Sequence, residues 1–148
     1  MIAIACDHAA VRLKNEIEAF LTAQGVEYRD FGCFDNSSVD YPDYAVLACK
    51  AVQSGECEKG ILICGTGIGM SMAANKFHGI RCAHCTDPLS AMLTRSHNDA
   101  NVLAIGARIL GDELALEIVK TFLETPFSGD ARHLRRINKL SAIEETQK

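Results

Sequence analysis

The stretch Lys59-Gly60-Ile61-Leu62-Ile63-Cys64-Gly65-Thr66-Gly67-Ile68-Gly69-Met70-Ser71 decides the fold. Ile61, Leu62 and Ile63 form a short apolar run rich in β-branched residues, the pattern of a strand covered on both faces of a parallel sheet. Gly65, Gly67 and Gly69 follow at every second position, and Met70 to Lys76 reads as a helix. Glycines let successive backbone N–H groups turn toward one point with no Cβ atoms in the way. The start of the following helix adds unpaired N–H groups and the positive end of its dipole. The turn is therefore expected to receive an anion or a developing oxyanion, with Cys64 and Thr66 at its lip.

Blander and rival readings of this stretch fit it less well. Three glycines exceed what a tight connection needs. A dinucleotide fingerprint would space them as GxGxxG and place an acidic residue about 20 positions on, at the end of a second strand. That region instead reads Arg81-Cys82-Ala83-His84-Cys85. No Gly-Lys-Ser/Thr follows, so the turn is not a P-loop. A cysteine alone is more often a small buried hydrophobe than a reactive group. The place of Cys64, at a strand end facing a helix N-terminus, favours a reactive thiol.

Working outward, strands alternate with helices along the whole chain. Ile2 to Cys6 predicts the first strand and ends on the polar pair Asp7-His8. Ala9 to Gln24 predicts a helix, with Val11, Ile17, Phe20 and Leu21 on its apolar side and Arg12, Lys14, Asn15, Glu16 and Glu18 largely in solvent. Gly25 stops it. Val26 to Phe31 is a second strand, Gly32 to Asp40 a polar loop, and Tyr41 to Gln53 a helix with Pro42 in its first turn. After the glycine turn and its helix come a fourth strand, Ile80 to Cys85, and a helix capped by Asp87 that runs to about Ser96. His97-Asn98-Asp99 reads as a polar break before a fifth strand, Val102 to Ile105, which ends at Gly106. Helices over Gly111 to Glu124 and Ala131 to about Glu144 complete the chain. This alternation predicts an α/β fold: one domain over residues 1–148, a doubly wound five-stranded parallel sheet in the order 2-1-3-4-5, and a C-terminal helix. Ligands of such folds lie beyond the carboxyl ends of the strands where strand order reverses, which would put Asp7-His8 and Cys64-Gly65-Thr66 on either side of the site.

The 148 residues suit a single core, and 48% hydrophobic content is ordinary for a globular chain. A formal net charge of −4 gives no reason to expect nucleic acid or an anionic membrane as a partner. The seven cysteines (Cys6, Cys33, Cys49, Cys57, Cys64, Cys82 and Cys85) are odd in number and mostly in apolar patterns, as expected of reduced thiols in a cytosol. Ile2 to Cys6 faintly resembles a lipoprotein cleavage site, but lacks a basic segment before it and is too short. No run approaches the roughly 18 apolar residues of a membrane helix. The default expectation is a soluble cytoplasmic protein.

Several polar residues remain that could do chemistry. Arg108 follows the fifth strand. Arg132 and Arg136 are four apart on the last helix and share a face, as do Arg135 and Lys139 on an adjoining one. Paired guanidiniums grip a phosphate well, although a lone helix arginine is as often only a solvated charge. His97 and Asn98 precede the fifth strand and so leave the opposite edge of the sheet from Cys64. His78 and His84 read as structural. Cys82-Ala83-His84-Cys85 is a single CxxC whose cysteines would face opposite sides of a strand, so no metal site is expected.

These segments also resemble a known family. Cys6-Asp7-His8-Ala9-Ala10, Asp40-Tyr41-Pro42-Asp43-Tyr44-Ala45, Cys64 to Lys76, Ser96 to Leu103 and Arg132-His133-Leu134-Arg135-Arg136 are similar, in order and over nearly the whole chain, to ribose-5-phosphate isomerase type B. The wider family includes galactose-6-phosphate isomerase subunits and allose- or tetrose-phosphate isomerases. The resemblance implies a Rossmann-like, metal- and cofactor-free homodimer or homotetramer with active sites shared between subunits, so that His97 and Asn98 would act in a neighbour's site. The sequence departs from the family pattern at Ile68, where many members carry a polar residue. Some members use a glutamate a few residues on as base. Ala73, Ala74 and Asn75 offer no carboxylate here, which leaves Cys64.

The implied reaction is an aldose–ketose isomerisation, which needs a carbon base, a place for the enediolate and a proton shuttle between two oxygens. In this reading Cys64 is the base, Thr66 orients it or the substrate, and the N–H groups of Gly65, Gly67, Ile68 and Gly69 hold the enediolate oxygen. Asp7 moves the oxygen-bound protons and His97 opens the furanose ring. His8, Arg108, Arg132 and Arg136 bind phosphate, Asn98 binds a hydroxyl, and Tyr41 lines the pocket or merely packs at its helix start. Rival expectations are an isomerase for a four- or six-carbon phosphosugar, a non-catalytic sugar-phosphate or nucleotide sensor on the same fold, and a redox protein using Cys82 and Cys85.

Overall fold

A computed structural model describes residues 1–146. The elements are β1 (Ile2–Cys6), α1 (Val11–Ala23), β2 (Tyr28–Asp30), α2 (Tyr41–Gln53), β3 (Lys59–Cys64), α3 (Ile68–Ala74), β4 (Cys82–His84), α4 (Pro88–Asn98), β5 (Val102–Gly106), α5 (Asp112–Glu124) and α6 (Ala131–Thr146). The strands form one sheet in which every pairing is parallel.

The expected α/β architecture is present, but the sheet order is β2-β1-β3-β5-β4 rather than 2-1-3-4-5. The burial of the two strands accounts for the difference. All five residues of β5 are buried, whereas Cys82 and Ala83 of β4 are half-buried and His84 is exposed. The wholly apolar strand takes the interior position and the shorter, wetter one becomes the edge. At that edge the Asn75 side chain imitates a neighbouring strand: its amide donates to the Cys82 carbonyl at 2.9 Å, and its oxygen accepts from the Cys82 N–H at 2.9 Å.

The two faces of the sheet differ in the size of their side chains. Ile2, Ile4, Ile61, Ile63, Leu103 and Ile105 pack with α1, α4 and α5, which contribute Leu13, Ile17, Ala91, Ile118 and Phe122. On the other face Ala3, Ala5 and Ala104 leave a shallow surface, met by Ala45, Ala48 and Cys49 of α2 and by Met70 and Ala74 of α3. Small residues on both sides let α2 lie close to the sheet, and this brings its first residue, Tyr41, against the glycine turn. Helix boundaries differ from expectation by a few residues. The largest shift concerns His97 and Asn98, which form the last turn of α4 rather than a break, with Asp99 as a left-handed C-cap.

Lys14 and Glu18 depart from their expected place in solvent. Lys14 is only 1% exposed. Its ammonium bonds the Asp30 carboxylate and lies 4.8 Å from the centre of the Phe34 ring. Asp30 in turn accepts the Gly32 N–H at 2.7 Å, and the Gly32 carbonyl accepts the Cys6 N–H, so the buried ion pair fixes the loop beside the end of β1. Glu18 Oε1 lies 3.7 Å from Lys14 Nζ and, among the described residues, has no hydrogen-bond partner. Burial, and next the Asp30 carboxylate, push the Glu18 carboxyl up to about 7 against the pull of Lys14.

A carboxyl raised in the fold holds its proton more tightly there than in the unfolded chain, so its contribution to stability declines as pH rises from about 4.5 to about 7. Glu18→Gln, which imitates the protonated form, should match the parent in thermal melts near pH 4 and melt at a higher temperature at pH 8. A difference in melting temperature that stays constant over this range would show that the Glu18 carboxyl carries no such penalty.

Candidate active site

β1 and β3 lie side by side, with Cys6 opposite Ile63, and their carboxyl ends bring Asp7 next to the Cys64 turn. The Asp7 N–H donates to the Ile63 carbonyl at 3.0 Å, and the Asp7 carboxylate accepts the Ala9 N–H at 3.0 Å. Asp7 is 8% exposed and Cys64 is 4% exposed, so neither is a freely solvated surface group. The His8 ring is oriented by the loop that follows β2: its Nδ1 accepts the Val39 N–H at 3.2 Å. A neutral ring accepting at Nδ1 carries its proton on Nε2, which leaves a donor free.

The glycine turn closes onto the sulfur. The Gly67 N–H donates to Cys64 Sγ at 3.0 Å, and the Ile68 N–H donates to Thr66 Oγ1 at 3.3 Å. Gly67 has φ +81°, a left-handed conformation that glycine adopts without strain. A Cβ there would also lie 2.7 Å from His84 Cδ2 and 2.8 Å from the Ile105 carbonyl carbon. At Gly69 a Cβ would meet the Tyr41 ring at 2.7 Å, so Tyr41 stands against the turn. The helix expected over Met70 to Lys76 is α3, only seven residues long, and its dipole is correspondingly small. The directed N–H groups of the turn are the stronger electrostatic feature.

Arg108 lies directly beside the Cys64 turn because β5, not β4, neighbours β3. Cys64 pairs with Gly106, the Cys64 carbonyl accepts the Ala107 N–H at 2.8 Å, and the Gly65 carbonyl accepts the Arg108 N–H at 2.9 Å. The Arg108 side chain runs past Gly65, where a Cβ would stand 3.4 Å from its Cδ. The exposed guanidinium is free to meet an anion at the mouth of the turn.

The remaining predicted residues gather elsewhere. His97 and Asn98 end α4 at the amino edge of the sheet, just before β5. Four residue steps of β5, Val102 to Gly106, separate that edge from the Cys64 level. At strand rise this is about 13 Å, too far for an imidazole of the same chain to share a small substrate with Cys64. His97 stacks on His133 of α6, with ring centroids 4.3 Å apart. His133 is buried and its Nδ1 lies 2.8 Å from Ser128 Oγ. Burial first, and then His97 and Arg132, push the His133 imidazolium down in pKa, which favours a neutral ring. Arg132 and Arg136 are exposed on the same helix, with Arg132 Nε 3.1 Å from Asp130. The predicted residues thus form two groups: Asp7, His8, Tyr41, Cys64, Thr66, the glycines, Ile68 and Arg108 in one, and His97, Asn98, Arg132 and Arg136 in the other.

Two supporting histidines are more specific than sequence reasoning made them. His84, expected to be merely structural, places Nε2 2.8 Å from the Thr66 carbonyl. His133, quoted only as part of a motif, holds the His97 ring. A histidine one residue from a predicted phosphate ligand was the available signal for His133. No local signal existed for His84, whose contact depends on the sheet order. Among the described residues, no three His, Cys, Asp or Glu side chains converge as metal ligands would. Among the described residues, no helix is long and apolar enough to cross a membrane.

Comparison with known proteins places this geometry. Residues 2–140 match the family described as Ribose/Galactose Isomerase. The chain is 54% identical over 97% of both chains to Bacillus subtilis YwlF, whose name assigns it provisionally to the sugar phosphate isomerases. It is 50% identical, over 97% of this chain and 96% of the other, to ribose-5-phosphate isomerase B of Escherichia coli. It is 41% identical, over 99% and 97%, to D-erythrulose-4-phosphate isomerase of Pectobacterium atrosepticum. The structure of ribose-5-phosphate isomerase B from Clostridium thermocellum superposes with a TM-score of 0.97 at 50% identity, covering 99% of each chain. The Mycoplasma genitalium enzyme of that name, with bound ribulose-5-phosphate, superposes with a TM-score of 0.93 at 38% identity, covering 99% of this chain and 97% of its own. The chain belongs to the ribose/galactose isomerase family and is a sugar-phosphate isomerase of the kind that includes ribose-5-phosphate isomerase B.

Proposed function

We propose that this chain, acting as one isomerase domain over residues 1–148, interconverts ribose 5-phosphate and ribulose 5-phosphate through an enediolate. Gln147 and Lys148 of that span lie outside the described residues. The observation that carries the mechanism is the Gly67 N–H aimed at Cys64 Sγ from 3.0 Å, with Asp7 on the adjoining strand end. An N–H donor is a better partner for a thiolate than for a thiol, and a thiolate can take the weakly acidic proton beside a carbonyl. The choice of pentose rests on the names and the bound ligand of similar proteins.

In this reading the Cys64 thiolate takes the proton from C2 of the open-chain aldose and returns it to C1. The N–H groups of the turn other than that of Gly67 hold the oxygen on which charge develops, and Thr66 orients the base or the substrate. Asp7 carries the proton between O2 and O1. His8, Arg108, Arg132 and Arg136 bind the phosphate, Asn98 a ring hydroxyl, and Tyr41 closes one wall. His97 opens the furanose ring by proton transfer. No residue role calls for a metal or cofactor.

The two groups of residues come together only if a second copy supplies His97, Asn98, Arg132 and Arg136. A homodimer, or a tetramer built from such dimers, with shared sites is therefore part of the proposal. The strand-length separation within one chain supports it, as do the exposed Leu134, Leu140 and Ile143 on α6. A second reading, isomerisation of a four-carbon phosphosugar, is favoured by the similarity to the Pectobacterium enzyme. Purified protein assayed with ribose 5-phosphate, erythrulose 4-phosphate, allose 6-phosphate and galactose 6-phosphate decides between them. The highest kcat/KM is expected for ribose 5-phosphate, and a clear preference for another sugar overturns the pentose assignment.

Two further outcomes are expected. Chains carrying Cys64→Ala and chains carrying His97→Ala should each be inactive. After subunit exchange, mixed dimers should recover activity, because one of the two composite sites keeps both residues. Exchange demonstrated by mass, yet without recovery, argues for sites built within one chain. Cys64→Ser should lower kcat about 100- to 10,000-fold with little change in sugar-phosphate affinity, since a hydroxyl is far harder to ionise and the phosphate ligands are intact. Burial pushes the Cys6 and Cys49 thiols up to about 12 and Cys85 to about 11, and raises Cys82 as well. Iodoacetamide should therefore modify Cys64 ahead of these, with protection by substrate. Near-normal turnover of Cys64→Ser would assign the carbon proton to another group.

A further inference from the structure

Outside the residues that would touch substrate, one imidazole stands a single peptide group away from the sulfur. His84 Nε2 lies 2.8 Å from the Thr66 carbonyl oxygen. A carbonyl can only accept, so Nε2 is the protonated nitrogen and the donor. The Thr66 carbonyl and the Gly67 N–H are the two ends of one planar amide, and that N–H donates to Cys64 Sγ at 3.0 Å. Donation into the carbonyl draws electron density toward its oxygen and makes the N–H at the other end a stronger donor. The same ring also sets where the amide sits, because it packs so closely on Gly67 that a Cβ there would lie 2.7 Å from His84 Cδ2. β4 holds His84 at this height by pairing it with Ala104 of β5, two residues before Gly106, which pairs with Cys64.

We propose that His84 is a positioning residue for Cys64: through the Thr66–Gly67 amide it aims and strengthens the N–H that holds the sulfur as a thiolate. Its effect on turnover rests on the reading of Cys64 as carbon base; its effect on the sulfur does not. His84 makes no contact with substrate in this role, so phosphosugar affinity is independent of it.

Three variants test the relay. His84→Leu removes the donor. His84→Asn keeps a polar side chain on the exposed edge strand but is too short to reach the Thr66 carbonyl. His84→Gln can place an amide N–H near the position of Nε2. Three quantities are read in each: the Gly67 amide proton shift in 15N-labelled protein, the rate of Cys64 alkylation by iodoacetamide at fixed neutral pH, mapped by mass spectrometry, and kcat and KM for ribose 5-phosphate. In His84→Leu and His84→Asn the Gly67 amide proton should move upfield. Cys64 alkylation should slow about twofold to fivefold, kcat should fall by a similar factor and KM should hold. His84→Gln should restore most of each. If the Gly67 shift and the alkylation rate are unchanged in both donor-free variants, the relay is overturned, whatever happens to kcat. An equal loss in all three variants, including His84→Gln, also overturns it, because packing alone would then explain the effect. Slower alkylation with unchanged kcat upholds the relay and instead tells against Cys64 as the base.

Discussion

The closeness with which the Cys64 turn lies on the exit of β5 is the constraint on which the rest of the site depends. A Cβ on Gly106 would stand 2.5 Å from the Thr66 carbonyl carbon, so backbone meets backbone with no room for a side chain. That contact fixes the height of the Thr66–Gly67 amide, and with it the direction of the N–H that reaches Sγ. It also draws Ala107 and Arg108 onto the carbonyls of Cys64 and Gly65, which places a guanidinium at the mouth of the turn. Gly106 would be read from sequence only as the end of a strand. In the fold it sets how near two strand ends can come.

The shape of the sheet serves the same end. The face of small residues, Ala3, Ala5 and Ala104, lets α2 and α3 settle low, so that Tyr41 and the turn share one corner. The face of large residues carries α4, and its last turn projects His97 and Asn98 from the other edge. The chemistry-bearing residues are therefore divided between two ends of a rigid slab. His97 is not left loose at its end, since it stacks on a buried His133 that is itself tied to Ser128. These residues are thus held in place at the opposite end of the sheet from the Cys64 sulfur of their own chain.

Much of this was legible in the sequence because it rests on local pattern. The run Ile61 to Ile63 followed by spaced glycines located a central strand and the turn at its end, and Tyr41 to Gln53 emerged as a helix with the bounds expected of it. Asp87 caps α4 as its residue type suggests, accepting the Ser90 N–H at 2.7 Å. What was not legible depends on partners distant in the chain. The order of β4 and β5 turns on a small difference, a wholly apolar strand against a shorter one that carries a histidine. Lys14 follows the polar side of α1 by periodicity, yet it is buried because Asp30 and Phe34 arrive over it from the end of β2. His84 reaches the Thr66 carbonyl across the end of β5, a contact between elements distant in the chain, and the exchange of strand positions set Arg108 beside the turn.

The Asn75 side chain bears on how copies of this protein can meet. By bonding both the N–H and the carbonyl of Cys82, it occupies two of the backbone groups through which a parallel or antiparallel neighbour would extend the sheet. An incoming strand would have to displace an amide that already satisfies both groups, with nothing gained in hydrogen bonds. Growth of the sheet from subunit to subunit is thus discouraged at this edge. A single asparagine thereby does at the β4 edge what a further strand would do, and makes that edge a poor template for pairing.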